Sequence, residues 1–275
     1  MVGSIESETF LFFPFENLLN LFNPDLLPLL SSIDFEIVVI DDASPDGTAD
    51  VVRKLSAAYG PDRVLLRSRP GKLGLGTAYA FGLDHARGDF VLLMDADLSH
   101  HPRHIPQMIE AQRQTGAAVV SGTRYVRGGG VCGWGTRRKV ISRGANTLAA
   151  LLLLPPDFLG GARRLASSAL GKLGLLKTRS ESQDFVTYEP VSSLSDLTGS
   201  FRLFRADVLK KLIPQVKSKG YAFQMEIAVR AARERGAVLA EVPIVFVDRL
   251  FGSSKLGGAE ITLFVRGLLK LFFTT

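Results

Sequence analysis

Two aspartates, Asp95 and Asp97, follow the apolar run Phe90-Val91-Leu92-Leu93-Met94 with Ala96 between them. Five apolar residues bounded by Asp89 on one side and two acids on the other read as a buried strand of a parallel sheet. Residues two apart on an extended backbone point the same way, so the two carboxylates converge. Converging carboxylate oxygens at the carboxyl edge of such a sheet suit a hard divalent cation, and a cation there suits a diphosphate. Taken alone, the same residues also suit the acidic N-cap of a following helix. A second strand-like run, Phe35 to Ile40, ends on Asp41 and Asp42, and a third, Ala117 to Gly122, ends on Thr123-Arg124-Tyr125. Acid, acid and base at three strand ends exceed what packing requires.

The elements between these ends must bring them to one edge. A turn with Pro45 and Gly47 leads into a helix over 48–59, whose apolar face is Val51, Val52, Leu55 and Tyr59 and whose C-cap is Gly60. A strand at 64–66 is followed by the basic, glycine-rich loop 67–76 and a helix over 77–86. That loop suits either a phosphate cradle at a helix N-terminus or a flexible surface turn, and it matches neither the P-loop nor the G-x-G-x-x-G fingerprint. A further helix is expected from Pro102 to Gln114, so strands and helices alternate into a mostly parallel sheet. His100, His101 and His104 are expected to be solvated loop side chains. Adjacent histidines on a turn diverge and no H-E-x-x-H spacing is present, which disfavours zinc.

Beyond Tyr125 a basic, glycine-rich stretch (127–143) precedes a helix expected over 142–154. Residues 155–193 read as an inserted loop with at most one short helix near 165–175. Order resumes with a strand at 201–204, helices over 206–212 and 223–235, and a strand pair around Pro243. Residues 261–273 form an amphipathic helix suited to a bilayer surface, a partner helix or the chain's own core. The first 34 residues are the least regular, with 9–13 as a candidate strand.

Composition narrows the classes. The single cysteine, Cys132, leaves no internal disulfide framework and no cysteine-based zinc site. A net charge of +6 fits anionic partners, but the basic residues are dispersed without interleaved aromatic platforms, which disfavours nucleic acid. No run reaches the roughly 18 apolar residues of a spanning helix, and the acidic Glu6 and Glu8 argue against a signal peptide.

From Phe35 onward the sequence resembles the family-2 inverting glycosyltransferases of GT-A fold, and within them the dolichyl-phosphate mannosyltransferases in their catalytic subunit. The resemblance rests on ordered blocks: Asp-Asp-Ala-Ser-Pro-Asp-Gly-Thr at 41–48, Lys-Leu-Gly-Leu-Gly-Thr-Ala-Tyr at 72–79 and Met-Asp-Ala-Asp-Leu-Ser-His-His-Pro at 94–102. Ser-Gly-Thr-Arg-Tyr at 121–125, Ile-Ser-Arg-Gly-Ala-Asn at 141–146, Asp-Leu-Thr-Gly-Ser-Phe-Arg at 196–202 and Gly-Tyr-Ala-Phe-Gln-Met-Glu at 220–226 follow. Arg249 and Gly-Ser-Ser-Lys-Leu-Gly-Gly at 252–258 complete the series.

The resemblance implies an α/β fold with a mostly parallel, Rossmann-like sheet flanked by helices in a single domain. That domain would span 35–275 and be interrupted by 155–193, with a divergent segment at 1–34 holding an incomplete first strand. It implies transfer of mannose from GDP-mannose to dolichyl phosphate with inversion, dependence on Mg²⁺ or Mn²⁺, and small membrane-anchoring subunits as partners. The implied location is the cytoplasmic face of the endoplasmic reticulum membrane, held peripherally. Asp97 and Arg124 are the implied catalytic residues, and Asp95, Asp97 and Ser99 the metal ligands. The substrate contacts implied are Pro14, Ile40, Asp42, Asp95, Ala96, Asp97, Arg124, Arg143, Arg249 and Lys255. Glu226 is implied only as a supporting residue, because an ionised acceptor phosphate needs no strong base. The Phe12-to-Asn17 stretch departs from the family's Pro-x-Tyr-Asn-Glu block, as does the length of 155–193. Two other readings therefore stay open: a relative using another sugar, such as glucose, and a non-catalytic subunit.

Overall fold

The computed structural model describes residues 7–12, 33–95, 99–153, 187–218, 222–248, 266–269 and 271–273. Among them, seven strands form one sheet in the order β3-β2-β1-β4-β7-β5-β8. These are β1 (Ser7–Phe12), β2 (Asp34–Asp41), β3 (Val64–Ser68), β4 (Phe90–Met94), β5 (Val119–Thr123), β7 (Arg202–Arg205) and β8 (Leu239–Pro243). Every pair is parallel except those of β7, which runs antiparallel to β4 on one side and β5 on the other. The first strand lies third in this order and pairs with β2 over Ser7–Phe12 and with β4 over Glu8–Phe12.

Alternation along the buried strands sorts side chains into two cores. Val38 and Ile40 of β2 and Val91 and Leu93 of β4 face one layer, with α2 (Leu75–Leu83), α4 (Thr136–Leu153), α5 (Ala206–Leu212) and α6 (Ala222–Arg233). Ile37, Val39, Leu92 and Met94 face the other, with α1 (Thr48–Tyr59) and α3 (Ile105–Thr115). A sheet covered on both faces buries its strands completely, which is why β2, β4 and β5 read as continuous apolar runs. Each fully buried Val, Leu or Ile adds about 1.5–3 kcal/mol.

Two local outcomes differ from expectation. Helix α4 begins at Thr136, so Arg137, Arg138 and Lys139 are helical rather than in a loop. Within the expected glycine-rich loop, β6 (Gly130–Cys132) pairs in parallel with β9 (Val245–Val247) as a small second sheet. The helix expected near 165–175 lies outside the described residues. Of the segment expected as an amphipathic C-terminal helix, 266–269 and 271–273 are helical. Leu268 and Leu271 insert into the core beside α4 and α6.

Candidate active site

Parallel β2, β4 and β5 all end at one edge of the sheet, so their last residues approach a common crevice. At the end of β2, Asp41 is buried and caps its own turn by accepting from the Ser44 N–H. Asp42 accepts both arms of the Arg69 guanidinium at 2.7 Å each. Arg69 is 6% exposed and also donates from Nη1 to Thr77 Oγ1. The basic glycine-rich loop is thereby tied to the end of β2, so it is not a free surface turn. Ala43 follows with a φ of 57°, uncommon for a residue with a Cβ, and turns the chain sharply after the acids. Ile40 is packed in the core at 1% exposure, which leaves only its backbone near the edge.

At the end of β4, Asp95 is half-buried. Its Oδ2 accepts from Ser200 Oγ at 2.6 Å, and its Oδ1 lies 3.5 Å from the Tyr79 hydroxyl. Burial, reinforced by the Asp95 charge, pushes the Tyr79 phenol well above its ordinary value, so it stays protonated. Ala96 and Asp97 lie outside the described residues, as do Pro14, Arg249 and Lys255. Ser99 is fully buried, and its carbonyl accepts from the Val247 N–H. Among the described residues no three His, Cys, Asp or Glu side chains gather as a metal centre. One restrained carboxylate at a strand end nevertheless fits Mg²⁺ or Mn²⁺, because such cations take one or two carboxylates and complete their shell with phosphate oxygens and water.

At the end of β5, Arg124 is 7% exposed and grips Asp196 through Nε and Nη2 at 2.6 and 2.7 Å. Nη2 also donates to Thr198 Oγ1, and Asn146 of α4 holds that loop through the Leu197 and Thr198 N–H groups. Burial alone would lower the Arg124 pKa and raise that of Asp196. Their mutual attraction and hydrogen bonds outweigh it, so the arginine is raised, the aspartate is lowered, and both are charged. The guanidinium carbon stands 5.6 Å from the Trp134 ring and 5.5 Å from that of Phe246. Arg138 lies over the other side of the arrangement, 4.1 Å from the Trp134 centroid, and donates to both oxygens of Asp248. Arg143 is exposed on α4, one residue beyond Ser142, whose hydroxyl bonds Tyr125 at 2.6 Å.

The histidine expectation is corrected here. His100 is 2% exposed, stacked on Phe201 and edge-on to Phe246. His104 is 7% exposed; its Nδ1 pairs with Gln107 Oε1 and its Nε2 accepts from the Val245 N–H. Only His101 is an exposed loop side chain, because β9 returns to cover the other two. Glu226 is fully buried and accepts from Lys217 N, Ser218 N and Arg230. Burial would raise its pKa, but these donors lower it instead, as suits a supporting residue. Sequence reasoning reaches Arg69 and Arg138 only as members of the basic stretches 67–76 and 127–143 and Asp196 only within the 196–202 block, and it assigns Trp134 no role.

Comparison with known proteins shows the family and the fold. The family model described as glycosyl transferase family 2 matches residues 16–213. The chain is 37% identical over 229 residues to the polyprenol monophosphomannose synthase of Mycolicibacterium smegmatis, covering 82% of this chain and 71% of that protein. It is 35% identical over 230 residues to the undecaprenyl-phosphate mannosyltransferase of Micrococcus luteus, covering 82% and 77%. Among solved structures it is similar to a mannosyltransferase from Pyrobaculum calidifontis in complex with GDP-Man and Mn²⁺. That match has a TM-score of 0.51 and 18% identity, and covers 98% of this chain and 63% of that one, a likeness of fold. The architecture is the GT-A-like α/β arrangement that the sequence blocks implied.

Proposed function

This chain belongs to glycosyl transferase family 2, and we propose that it transfers mannose from GDP-mannose to dolichyl phosphate. The observation that carries the reading is the arrangement at the sheet edge: acids at the ends of β2 and β4, and an arginine fork at the end of β5. Arg124 spends Nε and Nη2 on Asp196 and Thr198, which fixes the guanidinium plane; among the described residues Nη1 has no hydrogen-bond acceptor, and its two N–H groups are available for a ligand. A pre-oriented guanidinium donor suits a phosphate oxygen. The relatives named above are synthases of polyprenyl-linked mannose by their names, which supports mannose and a polyprenyl-phosphate acceptor.

In this reading an acceptor phosphate oxygen forms a bond to the anomeric carbon as the bond from that carbon to GDP breaks. GDP departs with the bonding pair, and the sugar is inverted. The nucleophile is already ionised near neutral pH, so no side chain has to remove a proton. Asp42 faces the nucleoside side, and Asp95 with Asp97 would hold Mg²⁺ or Mn²⁺. A bound cation would neutralise charge growing on the diphosphate leaving group. Arg124, joined by Arg138, lies where phosphate oxygens need donors. A lipid acceptor confines the reaction to a membrane surface. We therefore include peripheral association with the cytoplasmic face of the endoplasmic reticulum membrane, alongside small anchoring subunits.

The test is transfer of radiolabelled mannose from GDP-mannose to dolichyl phosphate with Mn²⁺ and partner-supplied membranes, run beside UDP-glucose and undecaprenyl phosphate. Formation of mannosyl-lipid that is lost in Asp97→Ala is the expected result. A folded, partner-supplied protein that makes glucosyl-lipid instead, or no glycolipid at all, overturns it.

A further inference from the structure

A buried hydrogen-bond chain runs beneath the sheet edge from β7 to β4. Arg202 is fully buried between the β4 and β5 ends, on the face shared with α2 and α6. Its Nη1 donates to the Gln224 carbonyl at 2.7 Å and approaches Gln224 Oε1 at 3.4 Å. Gln224 Nε2 donates to the Tyr79 hydroxyl at 3.0 Å, and that hydroxyl lies 3.5 Å from Asp95 Oδ1.

The chain has one direction. A guanidinium only donates, so the amide of Gln224 must turn its oxygen toward Arg202 and its NH₂ toward Tyr79. The opposite amide orientation would set two donors against each other. With its oxygen accepting from Gln224, the tyrosine has its own hydrogen left for Asp95. Ser200 supplies the donor for the other oxygen of the same carboxylate at 2.6 Å. Both oxygens are thus approached from within the protein, which sets the carboxylate plane. Arg202 also donates from Nη2 to the carbonyl of Asp196, the residue that holds Arg124. If Tyr79 were only a core ring, its contact with Phe223 at 5.3 Å would suffice and the hydroxyl would be superfluous.

We propose that Arg202, Gln224 and Tyr79 are positioning residues that orient Asp95 for the cation and diphosphate while anchoring the Arg124–Asp196 pair from the same guanidinium. This rests on the reading of Asp95 as a ligand of that cation. The same buried cation then fixes both halves of the site, which keeps their spacing constant as substrates enter.

The test measures Mn²⁺ affinity in the presence of GDP, by the paramagnetic resonance of free Mn²⁺, together with thermal unfolding. It uses full-length protein carrying Tyr79→Phe, Gln224→Glu, the pair combined, or Asp95→Asn. A carboxylate at position 224 would accept from both Arg202 and Tyr79 and so turn the tyrosine hydrogen away from Asp95. Tyr79→Phe and Gln224→Glu should each weaken Mn²⁺ binding by about three- to tenfold, the scale of one ordinary hydrogen bond, as suits a contact of 3.5 Å. Their combination should be no worse than either alone. Where Gln224→Glu does not fold, Tyr79→Phe decides. If Asp95→Asn weakens binding but Tyr79→Phe stays within about twofold of the parent, the positioning role is overturned while Asp95 keeps its own. A lower melting temperature with unchanged affinity in Tyr79→Phe has the same meaning. Unchanged affinity in Asp95→Asn overturns both.

Discussion

Two residues divide the work at the edge in ways that kinetics can separate. Arg124 is held by a bidentate carboxylate, so its Nη1 donors are fixed in direction rather than carried on a mobile point charge. A lysine cannot make two parallel bonds to Asp196 and still face a phosphate. Arg124→Lys is therefore expected to lower kcat for mannosyl transfer by about 10²–10³, the scale of losing a donor aimed at developing charge, and to affect KM less. A kcat within tenfold of the parent in steady-state assays would contradict this. Asp42 is paired with Arg69 and, in the proposed reading, faces the nucleoside. Asp42→Ala should raise KM for GDP-mannose about tenfold with a smaller change in kcat, because it removes binding shared by substrate and transition state. Equal loss in kcat and kcat/KM, with KM unchanged, would instead place Asp42 at the reacting bond.

At the scale of elements, the site depends on β7 entering between β4 and β5 and on α2 lying close to α6. The second contact is made by Gly76: a Cβ there would stand 2.6 Å from Phe223 Cδ2 and 3.1 Å from the Ser218 carbonyl. Gly76→Ala should destabilise the protein by about 1–3 kcal/mol, the usual cost of overpacking a core. The melting temperature should fall by about 2–4 °C for each kcal/mol, and an unchanged melting temperature would show that α6 yields freely. The same elements explain what can be read in advance. Strands β2, β4 and β5 are legible because burial on both faces favours apolar runs, and the acids that end β2 and β4 and the arginine after β5 stand out against that background. The strand expected at 201–204 is found as β7, but its antiparallel direction and its place between β4 and β5 are not legible, because they are set by pairing rather than by pattern. Nor is β6, three residues of a glycine-rich stretch whose partner β9 lies more than a hundred positions away. Arg124 is visible in the sequence but its partner is 72 residues further on, so a fixed, buried fork cannot be told from a free cation. His100 and His104 are hidden for the same reason: the strand that covers them has no local signature near them.

For the whole molecule, the buried titratable groups define a pH window of stability. Burial holds His104 below its ordinary 6.5 against the opposing Gln107 bond, and Arg103 and the neighbouring histidines each add a smaller lowering. The unfolded chain takes up that proton first as pH falls. Stability present above 6.5 is therefore lost progressively toward the lower native value. Asp196 and Glu226 act further down. Burial opposes their charge, but their partners lower both below the ordinary 3.8 and 4.5, so their contribution persists above those values and disappears below them. Tyr79 sets the alkaline limit: raised by burial, it contributes stability that is complete below pH 10 and is lost as pH climbs through its native value. A chain already at +6 gains positive charge on acidification, and self-repulsion adds to the acid-side loss. The melting temperature should therefore be highest between about pH 7 and 9 and fall between pH 7 and 5 before any carboxylate titrates. His104→Gln keeps an acceptor for the Val245 N–H while removing the titration, so it should flatten the pH 5–7 segment and leave the steeper loss below pH 4 in place. Thermal unfolding from pH 3 to 11 for both proteins checks this. A parent protein that melts higher at pH 5 than at pH 7, or a variant whose acid slope matches the parent's, would assign the acid response to groups other than His104.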